Sequence, residues 1–514
     1  MVALPSTRNP PGSTVIRGAR LVPVTTPVIS DRPVDIRISG GVVEQVRSAL
    51  RPRKGDLDLD AGGRWAIPGL WDQHVHLAQW SQTRTRLDVS GTSSPGQVTS
   101  LVSARVYQLA DDRTAAVVVG SGYRSATWSS QPTVAELDAV SGDHPVSLIS
   151  GDGHNGWLNT RALRLFGVAD RSSPLDENEW FAVFARIADL PGARDGLEDA
   201  HRQAVLAAAA KGVVGLVDME FGRGYRDWPD RFARGIDQVR VRPATYPDRL
   251  EEVIGAGLRS GQELISGGLL TMGPLKIISD GSLNTRTASC CEPYANATSL
   301  EFPRGKQNLS LAELTALLAR AKQCGFEIAL HAIGDAAVAT ALDAIADTGA
   351  TASIEHAQLI HTQDIVRMGR LGVRASVQPA HLLDDRDVTE KCWPDRADRC
   401  FPLQSMIRAG VTLAMGSDAP VSRLDPWLAM AAAVHRSADE REPWNPAESL
   451  TAQQALAAST DGQPSIAPGS RGDVVLLDAD PLGSNGDSMT VGRTLREMRV
   501  AATFVAGRPT HLDL

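Results

Sequence analysis

The chain has 514 residues, of which 42% are hydrophobic and 22% charged, with a formal net charge of −8. This is the composition of a folded globular protein with room for a large core, and its acidic balance argues against a broad nucleic-acid surface. No apolar run approaches the roughly 20 residues that span a bilayer, and five cysteines without C-x-x-C spacing indicate neither a disulfide scaffold nor a cysteine zinc site.

The amino terminus, MVALPSTRNPPGSTVIRG, is rich in Pro, Ser and Gly and lacks the apolar core of a signal peptide, so the expected compartment is the cytoplasm. From about Ser13 to Trp65 the sequence reads as short alternating β runs broken by Gly and Pro: STVIRGARLVPV, VDIRISGGVVEQV and DLDLDAGG. The carboxyl end, GDVVLLDADPL and REMRVAATFVAGRPTHL, reads alike. Residues 1–66 and 462–514 are therefore expected to meet in one composite β-sandwich domain. Two unrelated β segments are the alternative.

Next comes Ile67-Pro68-Gly69-Leu70-Trp71-Asp72-Gln73-His74-Val75-His76. Pro68-Gly69 predicts a bend leading into a strand. Residues two apart on a strand share a face, so His74 and His76 can aim both imidazoles at one point, as metal ligation requires. An isolated H-x-H pair is more often two ordinary histidines. The remaining chain has to supply further ligands.

It does. Eight apolar runs read as strands: RWAIPGLWDQHVH, VVGLVDME (213–220), VRVRPATY (239–246), GPLKIISD (273–280), FEIALHAIGD (326–335), ASIEHAQ (352–358), VRASVQP (373–379) and VTLAMGSDAP (411–420). Helices lie between the later ones. Ser310-Leu311-Ala312-Glu313 spells a capping box closed by Gly325, and the helical runs after Asp335 and Thr362 also end in glycine. Alternation of this kind predicts a (β/α)₈ TIM barrel over 67–461. The stretch from about 78 to 200 is too long for a loop and carries strand-like runs of its own, AAVVVGSGY and PVSLISGD, so it is expected to form an inserted subdomain.

Active sites of such barrels form at the carboxyl ends of the strands. There the sequence places His74 and His76 on the first strand, Lys276 in the fourth, His331 in the fifth, His356 in the sixth and Asp418 in the eighth. Each alone has an ordinary reading, whether a snorkelling lysine, a satisfied core histidine or a helix cap. At matching positions on five strands, the metal reading is the better one.

The motif PG-x-x-D-x-H-x-H, a strand lysine, two strand-end histidines and a terminal Gly-Ser-Asp resemble the amidohydrolase superfamily. The finer resemblance is to its N-substituted formamide deformylase-like (YtcJ-like) branch, through Gly122-Tyr123 to Trp128, GDGHNGWLN (151–159), GPLKIISDGSLNTRTA (273–288), HAIGD (331–335), EHAQ (355–358), SVQPAH (376–381) and GSDAPV (416–421). That resemblance implies the same barrel, small terminal sandwich and insert. It assigns His74 and His76 to one divalent metal and His331 and His356 to a second, with Lys276 carboxylated to a bridging carbamate. Asp418 would bind the first metal and handle protons. Imidazole and carboxylate ligands suit zinc, and the count of one or two ions stays open. The sequence departs from the branch at Asn284-Thr285, where Gly-Ser is expected, at His435 before Arg436, and in the short segment after Asn159.

The implied reaction is attack of metal-generated hydroxide on an amide-like, non-peptide C–N bond of a small molecule, with Asp418 as proton carrier. Three residues are second-rank candidates for substrate contact. His154 projects from the insert or is a plain loop histidine. His381 stabilises an oxyanion or caps a helix, and Arg286 clamps an anionic substrate or, the favoured reading, makes a structural ion pair. Trp71 and Trp157 read as packing residues. A deaminase or cyclic-amide hydrolase of the same superfamily is the runner-up, and a non-enzymatic metal-binding protein follows it. The expected partner is a small-molecule substrate, with no nucleic acid and no membrane, and a homodimer is left open.

Overall fold

The computed structural model describes residues 13–83, 86–109, 117–187, 197–295, 297–438, 441–483 and 486–514. The first twelve residues, which carry most of the signal-peptide reading, lie outside these ranges, as do residues 115 and 116 of the run 115–123.

Each of the eight apolar runs of the middle region holds a strand. These are β1 (Leu70–Val75), β2 (Val213–Asp218), β3 (Arg240–Pro243), β4 (Leu275–Ile278), β5 (Ile328–Ala332), β6 (Ala352–His356), β7 (Arg374–Val377) and β8 (Leu413–Met415). Every residue of β1, β2, β5 and β6 is buried, as expected of parallel strands covered on both faces. The strands form two parallel sheets, one in the order β3-β2-β1 and one running β4-β5-β6-β7-β8. Parallel bridges link their edges: Thr245, just past β3, with Leu275, and Val75 with Ala419, just past β8. The backbone N–H of Lys276 donates to the Thr245 carbonyl at 2.7 Å, and that of Asp418 to the His74 carbonyl at 2.6 Å.

One run differs from its reading as a single strand. Trp65–Pro68 belongs to the terminal sheet, with Ile67 opposite Val475, and only Leu70–Val75 joins the parallel sheet. Gly69 is the joint. A Cβ there would lie 2.3 Å from a Val214 methyl, so the chain can change sheets at this point only without a side chain. The sheet built from both ends runs in the order Arg508–Leu512, Val500–Val505, Val474–Leu477, Trp65–Pro68, Ser13–Leu21, Val34–Ser39, Val42–Arg47, and Asp56–Asp60 pairs alongside Ser13–Leu21. Its own core gathers Ile16, Ile36, Ile38, Val474, Leu476 and Phe504. At about 1.5–3 kcal/mol for each fully buried large apolar side chain, such a cluster contributes to holding this sheet, while Ile67, Val475, Leu477 and Val505 pack into the core of the parallel strands.

Between β1 and β2 a further sheet joins Leu175–Asp176, Asn155–Leu158, Val146–Ser150, Val118–Tyr123 and Leu87–Asp88. The helices follow their signals. Ser310 and Glu313 close a capping box on Leu311–Gln323, and Asp335–Thr348 and Thr362–Leu371 end at Gly349 and Gly372 in the left-handed conformation. Trp71 and Trp157 are buried in packing. Among the described residues no helix is long and apolar enough to cross a membrane.

Candidate metal centre

The parallel strands deliver their polar residues to one mouth. His74 lies in β1 and His76 one residue beyond it, at the start of helix Leu77–Gln82. Lys276 is the second residue of β4, His331 the fourth of β5 and His356 the last of β6, while Asp418 lies three residues past β8. All six line one cavity of about 350 Å³, together with His154. Gly416 allows the crowding, because a Cβ there would lie 2.6 Å from the His74 backbone nitrogen. His356 (φ 73°) and Asp418 (φ 55°) hold left-handed backbones. Non-glycine residues adopt these at a cost of order 1–3 kcal/mol, and they cluster at functional sites.

The polar atoms converge. Asp418 Oδ1 stands 3.5 Å from His74 Nε2 and 3.4 Å from His76 Nε2, and these three residues offer ligand atoms within 4.8 Å of one another. Lys276 Nζ is 3.2 Å from His74 Nε2. The rings of His331 and His356 are 4.6 Å apart, centroid to centroid. Burial, with Lys276 alongside, holds the His74 imidazole below its ordinary pKa, and burial puts His331 and His356 well below theirs. Neutral imidazole is the metal-binding form. Burial also lowers the Lys276 ammonium. Asp418 behaves oppositely: burial raises it, but the surrounding imidazoles more than reverse that and keep it ionised.

These residues fit a divalent cation. The buried Nδ1 atoms of His76 and His356 and the buried Nε2 of His381 have no hydrogen-bond partner among the described residues. Leaving such groups unsatisfied costs about 1–3 kcal/mol each, and the donors that do converge, Asp418 Oδ1 with His74 Nε2 and His76 Nε2, form the kind of set that holds a cation.

The second-rank candidates divide. His154 stands over the mouth, its ring 5.9 Å from that of His331. His381 lines an adjoining recess, with Nε2 3.8 Å from Asp418 Oδ2, and forms a second three-residue group with His356 and Asp418. Arg286 is not among the residues lining either space, and its side chain turns toward the Cys392 thiol.

Two acids escape the sequence reading. Glu355 accepts from His74 Nδ1 at 2.7 Å, which turns Nε2 toward the mouth. Burial raises its carboxyl, yet the bonds from His74 and Ser353 bring it down to about 2. Asp280 accepts the backbone N–H groups of Ile333, Gly334 and Ser289 and lies 3.4 Å from His331 Nε2, fixing the loop behind that ring. The signal available for both was an acid one residue from, or on the strand beside, a candidate ligand.

The chain matches a family model described as "Amidohydrolase family" over residues 59–511. It is 26% identical over 497 residues to the putative amidohydrolase YtcJ of Bacillus subtilis, covering 88% of this chain and 92% of that one. It is 25% identical over 535 residues to the N-substituted formamide deformylase of Arthrobacter pascens, covering 91% and 92%. In fold it is similar to the crystal structure of an uncharacterized metal-dependent hydrolase from Pyrococcus furiosus, with a TM-score of 0.72, 23% identity, and coverage of 91% of this chain and 100% of the other.

Proposed function

Because the chain belongs to the amidohydrolase family, hydrolases acting on carbon–nitrogen bonds, we propose that it cleaves an amide-like, non-peptide C–N bond of a small molecule. The site would use one or two divalent ions, zinc being the best match to its donors. The holding residues would be His74, His76, His331, His356 and Asp418, with Lys276 contributing as a carbamate, since an ammonium offers a cation no lone pair. The observation that carries this reading is the approach of Asp418 Oδ1 to His74 Nε2 and His76 Nε2 in a buried cavity beside Lys276.

A divalent ion held there supplies acidified water and a polarised carbonyl. The chain's own residues do the rest. Asp418 is ionised and borders the cavity, so it can take a proton from the attacking water and return it to the leaving nitrogen. Glu355 keeps His74 in the tautomer that presents Nε2. His154, which lines the cavity, and His381 in the adjoining recess would contact the substrate carbonyl.

We read the three- and five-stranded sheets as one (β/α)₈ barrel, supported by the bridges at both edges. The terminal sheet would be a separate composite domain, and the sheet spanning Leu87–Asp176 an insert over the mouth. The experiment is elemental analysis of the purified protein combined with a screen of N-substituted amides and formamides. Stoichiometric metal and amine release that chelation abolishes are expected. Amide turnover by metal-free protein would refute the proposal.

A further inference from the structure

The cavity has a second polar feature away from the histidines. Arg86 lines it, and among the described residues its guanidinium has a single hydrogen-bond partner, the neutral side-chain oxygen of Gln82. Among the described residues no carboxylate lies within ion-pair reach of it. Glu220 is the acid acting on it from a distance, but its oxygens already accept from the Gln79 backbone, the Gln79 amide and the Phe221 backbone. Burial pulls Arg86 down to about 10, and Glu220 offsets this only in part.

Other sequestered arginines of this protein are provided for. Arg240 grips Asp473 through two bonds, Arg396 pairs with Asp395 and donates to two carbonyls, and Arg436 donates to carbonyls of Trp444, Phe401 and Glu448. Arg86 is half-buried; a guanidinium drawn out of water is costly unless it meets a partner, and its fork suits a carboxylate. Arg86 has the fork but lacks the carboxylate.

An aromatic surface runs from the metal site through the same cavity. Phe221 lies 5.9 Å from the His76 ring and stacks on Tyr246 at 4.7 Å and 29°. Phe181 continues it, 6.2 Å from Phe221 and 5.4 Å from His154. The wall offers an apolar or aryl group a place beside the reacting bond.

We propose that this cavity takes an amide bearing both an aromatic group and a carboxylate, the chemistry of an N-acyl aromatic amino acid. Arg86 receives the carboxylate, and Phe181, Phe221 and Tyr246 receive the ring. This rests on the amide-hydrolase reading of the site for its reaction, but not for its binding. A cavity of about 350 Å³ is at the small-ligand end of the usual range, which fits such a molecule.

The test separates the two. On metal-loaded protein, calorimetry with 3-phenylpropanoate and its neutral counterpart 3-phenyl-1-propanol reads binding without turnover. The carboxylate should bind more tightly than the alcohol, and Arg86→Met should weaken the carboxylate about 10- to 100-fold while leaving the alcohol unchanged. If circular dichroism shows Arg86→Met unfolded, Arg86→Gln replaces it with the same expectation. Equal carboxylate affinity in parent and folded variant, or no preference in the parent, overturns the proposal. In parallel, N-acetylphenylalanine should be hydrolysed faster than N-phenethylacetamide by the parent, and that preference should vanish in the variant. Failure of the parent to hydrolyse any amide counts against the amide-hydrolase reading, and the binding arm still decides the role of Arg86.

Discussion

The seam between the terminal sheet and the parallel strands holds its arginines against aspartates in close ion pairs, whereas the mouth of those strands buries an amine and imidazole nitrogens that no carboxylate bonds. At the seam Arg240 holds Asp473 with bonds of 2.8 and 3.1 Å, and Asp473 also accepts the Ala506 N–H. Arg242 and Arg471 close on Asp461, and within the sheet Arg37 reaches Asp56, Gln45 and a carbonyl. At the mouth Lys276 is 2% exposed with a histidine as its near polar neighbour. Among the described residues three imidazole nitrogens there have no hydrogen-bond partner, and His356 and Asp418 hold left-handed backbones. Buried polar residues thus serve opposite ends. Paired, they fix how two sheets meet; unpaired, they store cost that a bound group can release. The contrast implies that seam substitutions change stability and spare turnover, while mouth substitutions do the reverse.

The largest expected effect is at Asp418. Asp418→Asn keeps the shape and one oxygen but removes the base, and should lower turnover about 10²–10⁴-fold while the fold persists. Steady-state kinetics beside metal analysis and circular dichroism check this. Turnover within a few-fold of the parent, with metal retained, would break the comparison at its functional end. Next is the seam. Asp473→Ala leaves Arg240 without its carboxylate, and breaking a buried pair costs about 3–5 kcal/mol. Urea denaturation should show that loss, with kcat per folded molecule unchanged.

A third substitution sets the two regions directly against each other. Lys276→Met removes a buried amine and keeps the volume. In metal-stripped protein it should raise stability by about 1–4 kcal/mol, as apolar replacements of buried charges often do, while lowering activity in the metal-loaded state. A lower melting temperature for the stripped variant than for the stripped parent would show that Lys276 is held by interactions as complete as those at the seam.

The two regions also differed in how far they could be read beforehand. The candidate ligands His74 and His76 were legible because a period of two is a local property of strands, and Lys276, His331 and His356 because polar residues in apolar runs are anomalous. Glu355 was not, because it neighbours His356 and strand alternation sends neighbours to opposite faces. The left-handed φ of His356 breaks that alternation, and nothing local announces it. Arg86, Phe181 and Phe221 come from separate segments and meet only in the folded chain. The transfer of Trp65–Pro68 to the terminal sheet was likewise hidden in one continuous apolar run, although Pro68-Gly69 marked the point where it ends.

The smallest predicted effect tests whether charge, not shape, holds the seam. Asp461 accepts from Arg242, Arg471 and Gln73. Burial alone would raise its carboxyl, but the Arg242 bond and the two guanidinium charges outweigh burial and lower it. A carboxyl depressed by folding stabilises the native state above its unfolded pKa of about 3.9, and that contribution fades as pH falls through the lower folded value. Asp461→Asn is the suitable probe, because Asp461 sits at φ 50° and asparagine tolerates that backbone without new strain. The parent should therefore exceed the variant in stability by a constant margin from pH 7 to about 5, and the margin should shrink as pH drops below about 4. Denaturant midpoints of both proteins across that range give the comparison. A margin that persists undiminished to the lowest pH at which both fold would mean that hydrogen-bond geometry alone holds the seam, and the paired-charge half of the contrast would fail.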